Sequence, residues 1–141
     1  MPHVLAPRLR RADVEELAAN GREPLPALLR CLSLSAVAHA VVDAKGDPQA
    51  LYGFAPIGNE TGCPWLLGSD ALVTTHRGWF LRNSQTIMGG GDRMFRRVWN
   101  RVDSRNAVHV RWLRWVGCTL EPAAPFGPLG LPFHVFHREA R

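Results

Sequence analysis

Lysine, tyrosine and cysteine are scarce in this chain. Lys45 is the only lysine among the 17 Lys and Arg residues, Tyr52 is the single tyrosine, and there are three cysteines. An odd number of cysteines without CxxC spacing argues against a disulfide framework and against a zinc finger. Long apolar runs are absent too, and residues 1–17 lack the apolar core of a secretory signal, so we expect synthesis in a cytoplasm.

Length and charge set the next limits. The chain has 141 residues, of which 46% are hydrophobic, and this predicts one domain that spans residues 1–141. The formal net charge of +5 favours contact with something acidic. Nucleic acid, the phosphate groups of a cofactor and an acidic protein face all meet that description, and charge alone does not choose among them.

Hydrophobic periodicity and turn residues predict an α/β (α+β) domain whose sheet is flanked by about four helices. Helices are predicted at residues 13–20, 26–34, 76–88 and 104–116. Strands are predicted at residues 4–10, 36–43, 49–57, 65–73, 93–102, 118–121 and 133–138. Gly89, Gly90 and Gly91 are predicted to end the third helix, and the proline-rich residues 122–132 to form a loop.

The run VWNRVDSRNAVHVRWLRWVGCTLE, residues 98–121, is typical of a strand, a capped helix and a second strand. Val98, Asn100 and Val102 alternate as in a strand, Asp103 or Ser104 can cap the helix, and Gly117 can end it. This arrangement resembles the last helical motif of the GNAT acetyltransferase fold, in which V-x-x-x-N precedes an apolar helix and glycine opens the next strand. The resemblance implies a GNAT-like domain with a mixed, largely antiparallel sheet.

Finer details are similar to GNAT-like proteins of short-tailed bacteriophages, the group that includes internal virion protein A. The matching segments are CPWLLGSDAL at residues 63–72 and FGPLGLPFHVF at residues 126–136, together with Trp99, Asn100, His109, Arg111, Trp112, Leu113, Arg114 and Gly117. The resemblance implies a virion-associated structural or interaction module, made in the bacterial host cytoplasm. Its partners would be other virion proteins of the portal, the tail or the ejection apparatus, in several copies.

N-acetylation of a protein or small amine is the alternative function that the resemblance implies. Enzymes of this fold hold the pyrophosphate of acetyl-CoA on a Q/R-x-x-G-x-G/A loop, where glycines let backbone N–H groups approach. The corresponding stretch here, VTTHRGWFLRN, has Gly78 as its only glycine. The candidate cofactor contacts are Thr74, Thr75, His76, Arg77, Gly78 and Asn106. Ordinary capping explains the threonines equally, and Asn106 can instead bond nearby backbone.

The general acid is also missing from its usual place. Enzymes of the family carry a tyrosine seven residues after the signature asparagine, and Leu113 occupies that position here. Tyr52 is interpreted as a packing residue of the third strand. No catalytic residue is therefore assigned, and the sequence favours a protein without acetyltransferase activity or a required cofactor.

Seven arginines between Arg93 and Arg114 alternate with tryptophans. Helical spacing predicts that the tryptophans are core and the arginines solvated, which favours a protein partner over single-stranded nucleic acid. The exposed loop would add apolar contacts. The predicted partner-binding residues are Arg93, Arg96, Arg97, Arg101, Arg111, Arg114, Phe126 and Leu129. No metal site is predicted, because His134 and His137 are three apart in a strand and should point to opposite faces.

Overall fold

A seven-stranded mixed sheet forms the centre of the computed structural model, which describes residues 1–141. The strands are β1 (Val37–Val42), β2 (Pro48–Gly58), β3 (Thr61–Gly68), β4 (Arg97–Asp103), β5 (Thr119–Leu120), β6 (Ala124–Phe126) and β7 (Leu131–Glu139). Their order is β1-β2-β3-β4-β7-β5, and β6 pairs separately with β7. Only the β3–β4 pair is parallel, so the predicted mixed, largely antiparallel sheet is confirmed.

Helices cover both faces of the sheet. They are α1 (Pro2–Leu5), α2 (Arg11–Ala19), α3 (Pro24–Leu34), α4 (Asp70–Val73), α5 (Arg77–Asp92) and α6 (Ala107–Trp115). Leu51 of β2 packs with Leu28 of α3 on one face. Its strand neighbour Ala50 belongs to the larger core on the other face, which includes Met88 of α5 and Trp112 of α6. None of the helices is long and apolar enough to cross a membrane.

The predicted first strand at residues 4–10 is wrong. The chain forms α1 there and then a 3-10 helix at Ala6–Arg8. Pro2 opens α1 with a backbone angle that suits a helix, and Leu5 and Leu9, one helical turn apart, are both buried in the core of the α3 face. Of the predicted strand, only an isolated bridge between Leu9 and Ser69 is present.

The ends of several other elements differ from the prediction. Strand β3 begins at Thr61, directly after a turn through Asn59 and Glu60, and the predicted strand residues 70–73 form α4 instead. Helix α6 begins only after Asn106. The Asp103 carboxylate does not cap it, because Oδ1 accepts a hydrogen bond from the N–H of Arg105. The proline-rich loop contains strand β6.

The triple glycine does not end α5, which continues through it to Asp92. A Cβ atom at Gly91 would lie 2.6 Å from the Phe54 ring, whereas nothing lies within 4 Å of one at Gly89. Glycine at position 91 therefore lets the helix approach β2 closely.

Gly91→Ala is expected to lower the free energy of unfolding by about 1 to 3 kcal/mol, because the added methyl group overpacks the core against Phe54. The matched change Gly89→Ala should raise it by about 0.5 to 1 kcal/mol through helix propensity. Urea unfolding of both variants checks this. Equal stabilisation by both would contradict the close contact.

Strands β3 and β4 pair only at their first residues. Thr61 lies opposite Arg97 and Gly62 opposite Val98, and the register stops there although both strands continue. Beyond this point they diverge. We call the space between residues 63–68 of β3 and residues 99–103 of β4 the splayed gap, and it holds the candidate site.

Candidate functional site

The narrow end of the splayed gap is bridged by one side chain. Asn100 of β4 donates from Nδ2 to the carbonyl of Pro64 across the gap at 2.8 Å, and its Oδ1 accepts from the N–H of Arg101 at 2.7 Å. The amide thus takes the place that a neighbouring strand would fill. Pro64 needs no backbone acceptor here, because proline has no N–H.

The wide end of the gap is bridged by carboxylates from α2. The N–H of Gly68, the last residue of β3, donates to Asp13 Oδ2 at 3.0 Å. The N–H of Asp103, the last residue of β4, donates to Glu16 Oε1 at 2.7 Å. One turn of α2 separates the two acids, so this helix supplies acceptors to both diverging strands.

A cavity of about 520 Å³ lies between these two bridges. Residues of α2 and α3 line one side of it and residues of α5 and α6 the other, with Leu66 and Val102 among the gap residues. In a strand, the backbone N–H and C=O groups of every second residue point to the same side. The Pro64 carbonyl and the Gly68 N–H point into the gap, so the N–H and C=O of Leu66 point there too. The cavity therefore combines a mostly apolar wall with a backbone N–H and C=O that no neighbouring strand pairs.

Beside the cavity lies a buried polar cluster made of Arg10, Asp13, Asn106 and His109. Arg10 donates to Asp13 at 3.0 Å and to Asn106 Oδ1 at 3.2 Å, and Asn106 Nδ2 donates to Asp13 Oδ1 at 3.3 Å. Asn106, a predicted cofactor contact, thus has both ends of its amide bonded within the protein.

His109 is the one member of the polar cluster with a free atom. It lines the cavity, and its Nε2 has no hydrogen-bond partner, the nearest acidic oxygen being Asp13 Oδ1 at 3.8 Å. Burial lowers the pKa of His109, and this outweighs the opposing effect of Asp13. The unpaired Nε2 is itself buried, so the neutral imidazole belongs to the polar cluster at the edge of the cavity.

Glu16 has the most strongly altered acidity in the site. Burial is the main cause that raises its pKa to about 8, and the nearby charges of Asp13 and Asp103 raise it further against the bond from the Asp103 N–H. Glu16 remains partly exposed, and it lines the cavity. A carboxyl with a pKa near the working pH suits a general base. Sequence reasoning missed Glu16, since an acid inside a helix gives no signal of this kind.

Tyr52 and Leu113 both line the cavity. The interpretation of Tyr52 as only a packing residue was therefore incomplete. Burial raises the pKa of Tyr52, so its phenol keeps its proton. Leu113, where the resemblance would have a tyrosine, lies on the same wall and offers no proton.

The predicted cofactor segment surrounds the start of α5. Thr75, Arg77 and Gly78 are exposed, His76 is half-buried, and the Thr74 hydroxyl donates to the carbonyl of Asp70 at 2.8 Å. The N–H groups of Gly78 and Trp79 have no backbone acceptor, as is usual in a first turn. Arg82 folds back beside Gly78, at 3.0 Å from where a Cβ would be. Neither Arg77 nor Arg82 has an acidic partner, so this helix start is positively charged.

The predicted partner-binding residues lie on several elements, and some of them are paired within the protein. Arg96 pairs with Glu60 at 3.5 Å and Arg97 with Glu139 at 3.4 Å. Arg101 lies 4.1 Å from the ring centre of Phe126, so these two side chains cover each other. The remaining members are exposed at separate places: Arg93 after α5, Arg111 and Arg114 on α6, and Leu129 in the β6–β7 turn. Binding through these residues stays a prediction.

The two histidines of β7 both bond to Glu121. His134 Nδ1 lies 2.8 Å from the Glu121 carbonyl oxygen, and His137 Nε2 lies 2.8 Å from Glu121 Oε1. No group of three or more His, Cys, Asp or Glu side chains is arranged to hold a metal ion.

No protein-family model and no curated protein matches the chain. Solved structures do. The ribosomal-protein-S18-alanine N-acetyltransferase from Escherichia coli matches with a TM-score of 0.68 at 9% identity, over 99% of this chain and 84% of that one. A GNAT superfamily phosphinothricin acetyltransferase from Sinorhizobium meliloti, in complex with AcCoA, matches with a TM-score of 0.67 at 11% identity, over 92% and 80%.

A GCN5-related N-acetyltransferase from Kribbella flavida has a higher identity of 22% and a TM-score of 0.58, over 72% of this chain and 66% of that one. Identities this low speak for the fold alone. They say nothing of a phage or a virion, so the virion-associated role stays a prediction. The splayed parallel pair and these likenesses agree, and the chain has a GNAT-like fold.

Proposed function

We propose that this protein transfers an acyl group from acyl-CoA to an amine and is therefore an N-acyltransferase. The observation that carries the proposal is the cavity of about 520 Å³ inside the splayed gap, with Glu16 and Tyr52 on its wall. Its fold neighbours include N-acetyltransferases, and one of them was solved with AcCoA. This reverses the preference of the sequence for a non-enzymatic protein, which depended on the missing glycine loop and the missing tyrosine.

Acyl-CoA would be held by two separate parts of the protein, the cavity and the start of α5, and not by a glycine loop. The apolar cavity and the Leu66 peptide would hold the acyl end. The phosphates would meet the free N–H groups of Gly78 and Trp79 and the unpaired guanidinium groups of Arg77 and Arg82. When bound, acyl-CoA supplies an acyl group activated as a thioester.

The side chains of the cavity can manage the protons of such a transfer. Glu16, with a pKa of about 8, is ionised in a large fraction of molecules at mildly alkaline pH and can take the proton that the acceptor amine loses. Tyr52 stays protonated because burial raises its pKa, so it can give a proton to the thiolate that leaves when the C–S bond of the thioester breaks. The apolar wall limits the water that competes with the amine.

Acetyl-CoA binding provides the direct test. Isothermal titration calorimetry is expected to show saturable binding, and Arg77→Ala combined with Arg82→Ala should weaken it by about 10- to 100-fold through lost charge-assisted bonds. Arg93→Ala is the matched control, since Arg93 is exposed at the opposite end of α5. Absence of binding at millimolar acetyl-CoA would overturn the proposal.

A binding role without catalysis is the second candidate. Trp115 and Leu129 are the most exposed large apolar side chains, at 62% and 67%. Within the predicted virion role they would contact another particle protein. Mass spectrometry of purified phage particles is the test, and consistent absence of the chain would remove this candidate.

A further inference from the structure

Two unpaired arginines lie at the mouth of the cavity. Arg22 lies in the turn between α2 and α3, and Arg30 lies on the face of α3 that Ala27, Cys31 and Leu34 also present to the cavity. Both arginines are exposed, and neither forms an ion pair. A smaller depression of about 360 Å³ beside the mouth is lined by the same two side chains.

The charge of both arginines extends into the cavity. Cys31 lines the wall, and although burial raises the pKa of its thiol, Arg22 and Arg30 act to lower it. Both guanidinium groups are therefore close to the same point of the wall. Glu23, the neighbouring acid, is not within ion-pair distance of either arginine, so it leaves their charge available.

The cavity has opposite chemistry at its two ends. Glu16 lies deep, where it bonds to the last residue of β4, and Asn20 follows it one turn later on the same side of α2, at about 6 Å along the axis. Arg22, two residues after Asn20, is the next lining residue and lies at the mouth. A molecule that spans the cavity thus meets a carboxyl at one end and two guanidinium groups at the other.

We infer that the acceptor of the acyl group is an amine that also carries an oxyanion, a carboxylate or a phosphate, which Arg22 and Arg30 bind while the amine faces Glu16. The inference rests on the proposed acyl transfer for the amine's role. Guanidinium groups pair with carboxylate and phosphate through two parallel hydrogen bonds. Polyamines, which carry only positive charge, are repelled at this mouth.

A panel of amines distinguishes the two oxyanion sources. Glutamate carries carboxylates, phosphoethanolamine a phosphate, phenylethylamine no anion, and spermidine only positive charge. We expect kcat/KM with acetyl-CoA to be at least 10-fold higher for one or both of the first two than for the others. The better of the two identifies the oxyanion.

Variants of the mouth test the same point. Arg22→Ala with Arg30→Ala should raise KM for the preferred amine by about 10- to 100-fold and leave kcat nearly unchanged, and Arg30→Glu should shift the preference towards spermidine. Arg8→Ala, an exposed arginine outside the cavity, is the control. Equal rates for all four amines, or wild-type KM in the double variant, would overturn the inference.

Binding without acyl-CoA separates this inference from the proposed function. Calorimetry with glutamate and with phosphoethanolamine reports on the mouth even if no transfer occurs. The wild-type protein could bind these anions, lose that binding in the double variant and transfer no acetyl group. That result would support the anion site and contradict the proposed acyl transfer. Acetyl transfer to all four amines at equal rates would support the proposed function and contradict the anion site.

Discussion

Replacing Glu16 with glutamine is expected to lower kcat for acetyl transfer by about 100-fold or more, the usual contribution of a general base. The amide oxygen of the introduced side chain can still accept the hydrogen bond from the Asp103 N–H, so the wide end of the gap should keep its geometry. Glu15→Gln is the matched control, because Glu15 is exposed and pairs only with Arg11 at the protein surface. Initial rates at saturating acetyl-CoA check the result.

The pH profile separates a base from a residue that only holds the fold. A base must be ionised, so kcat/KM of the wild-type protein should rise with pH and level off above the pKa of about 8. The Glu16→Gln variant should lose that rise. An unchanged profile in the variant would exclude Glu16 as the base, whatever its effect on the rate.

The ionisation of Glu16 should also affect stability. Activity should rise with pH, whereas the free energy of unfolding should fall. The pKa of Glu16 is about 8 in the folded protein against an ordinary value of 4.5, so between these pH values the folded state holds a proton that the unfolded state has released. The free energy of unfolding should therefore fall as pH rises through this window, by on the order of 4 kcal/mol. Urea unfolding at several pH values should show a smaller fall in Glu16→Gln, and equal slopes would contradict the raised pKa.

Asp13→Ala is expected to lower the free energy of unfolding by about 3 to 5 kcal/mol, because it leaves the Arg10 guanidinium charged, buried and without a counter-ion. The Asp13 side chain is 0% exposed, and its two oxygens accept from Arg10, Asn106 and the Gly68 N–H. Its loss would detach α2 from the end of β3. Denaturant unfolding measures the change.

Two further variants are controls for the Asp13→Ala result. Asp47→Ala removes an exposed carboxyl and should change stability by less than about 0.5 kcal/mol. Arg10→Met combined with Asp13→Ala removes the unpaired charge and should recover part of the lost stability, while the Asn106 amide and the Gly68 N–H stay without these partners. A single Asp13→Ala variant as stable as the wild type would show that the polar cluster does not join the helix to the sheet.

Local patterns were sufficient for most of the long elements. The apolar stripe of residues 26–34 and the alternation of residues 49–57 predicted α3 and β2, and the Asn106 to Gly117 run predicted α6 and the GNAT-like fold. Where the prediction was wrong, packing overrode the local signal. Three consecutive glycines disfavour a helix, yet α5 continues through them, and Gly91 packs closely against Phe54.

The sequence by itself determined the periodic helices and strands, the absence of a glycine loop and the leucine where the resemblance implies a tyrosine, because each depends on residues close together in the chain. Only the tertiary structure decided the site. Glu16 meets Asp103 across 87 positions and Asp13 meets Asn106 across 93, and it is this approach that buries the acids, raises the pKa of Glu16 and surrounds the cavity. Desolvation and hydrogen bonding at such distances depend on how the elements pack, and no local pattern of residues carries that information.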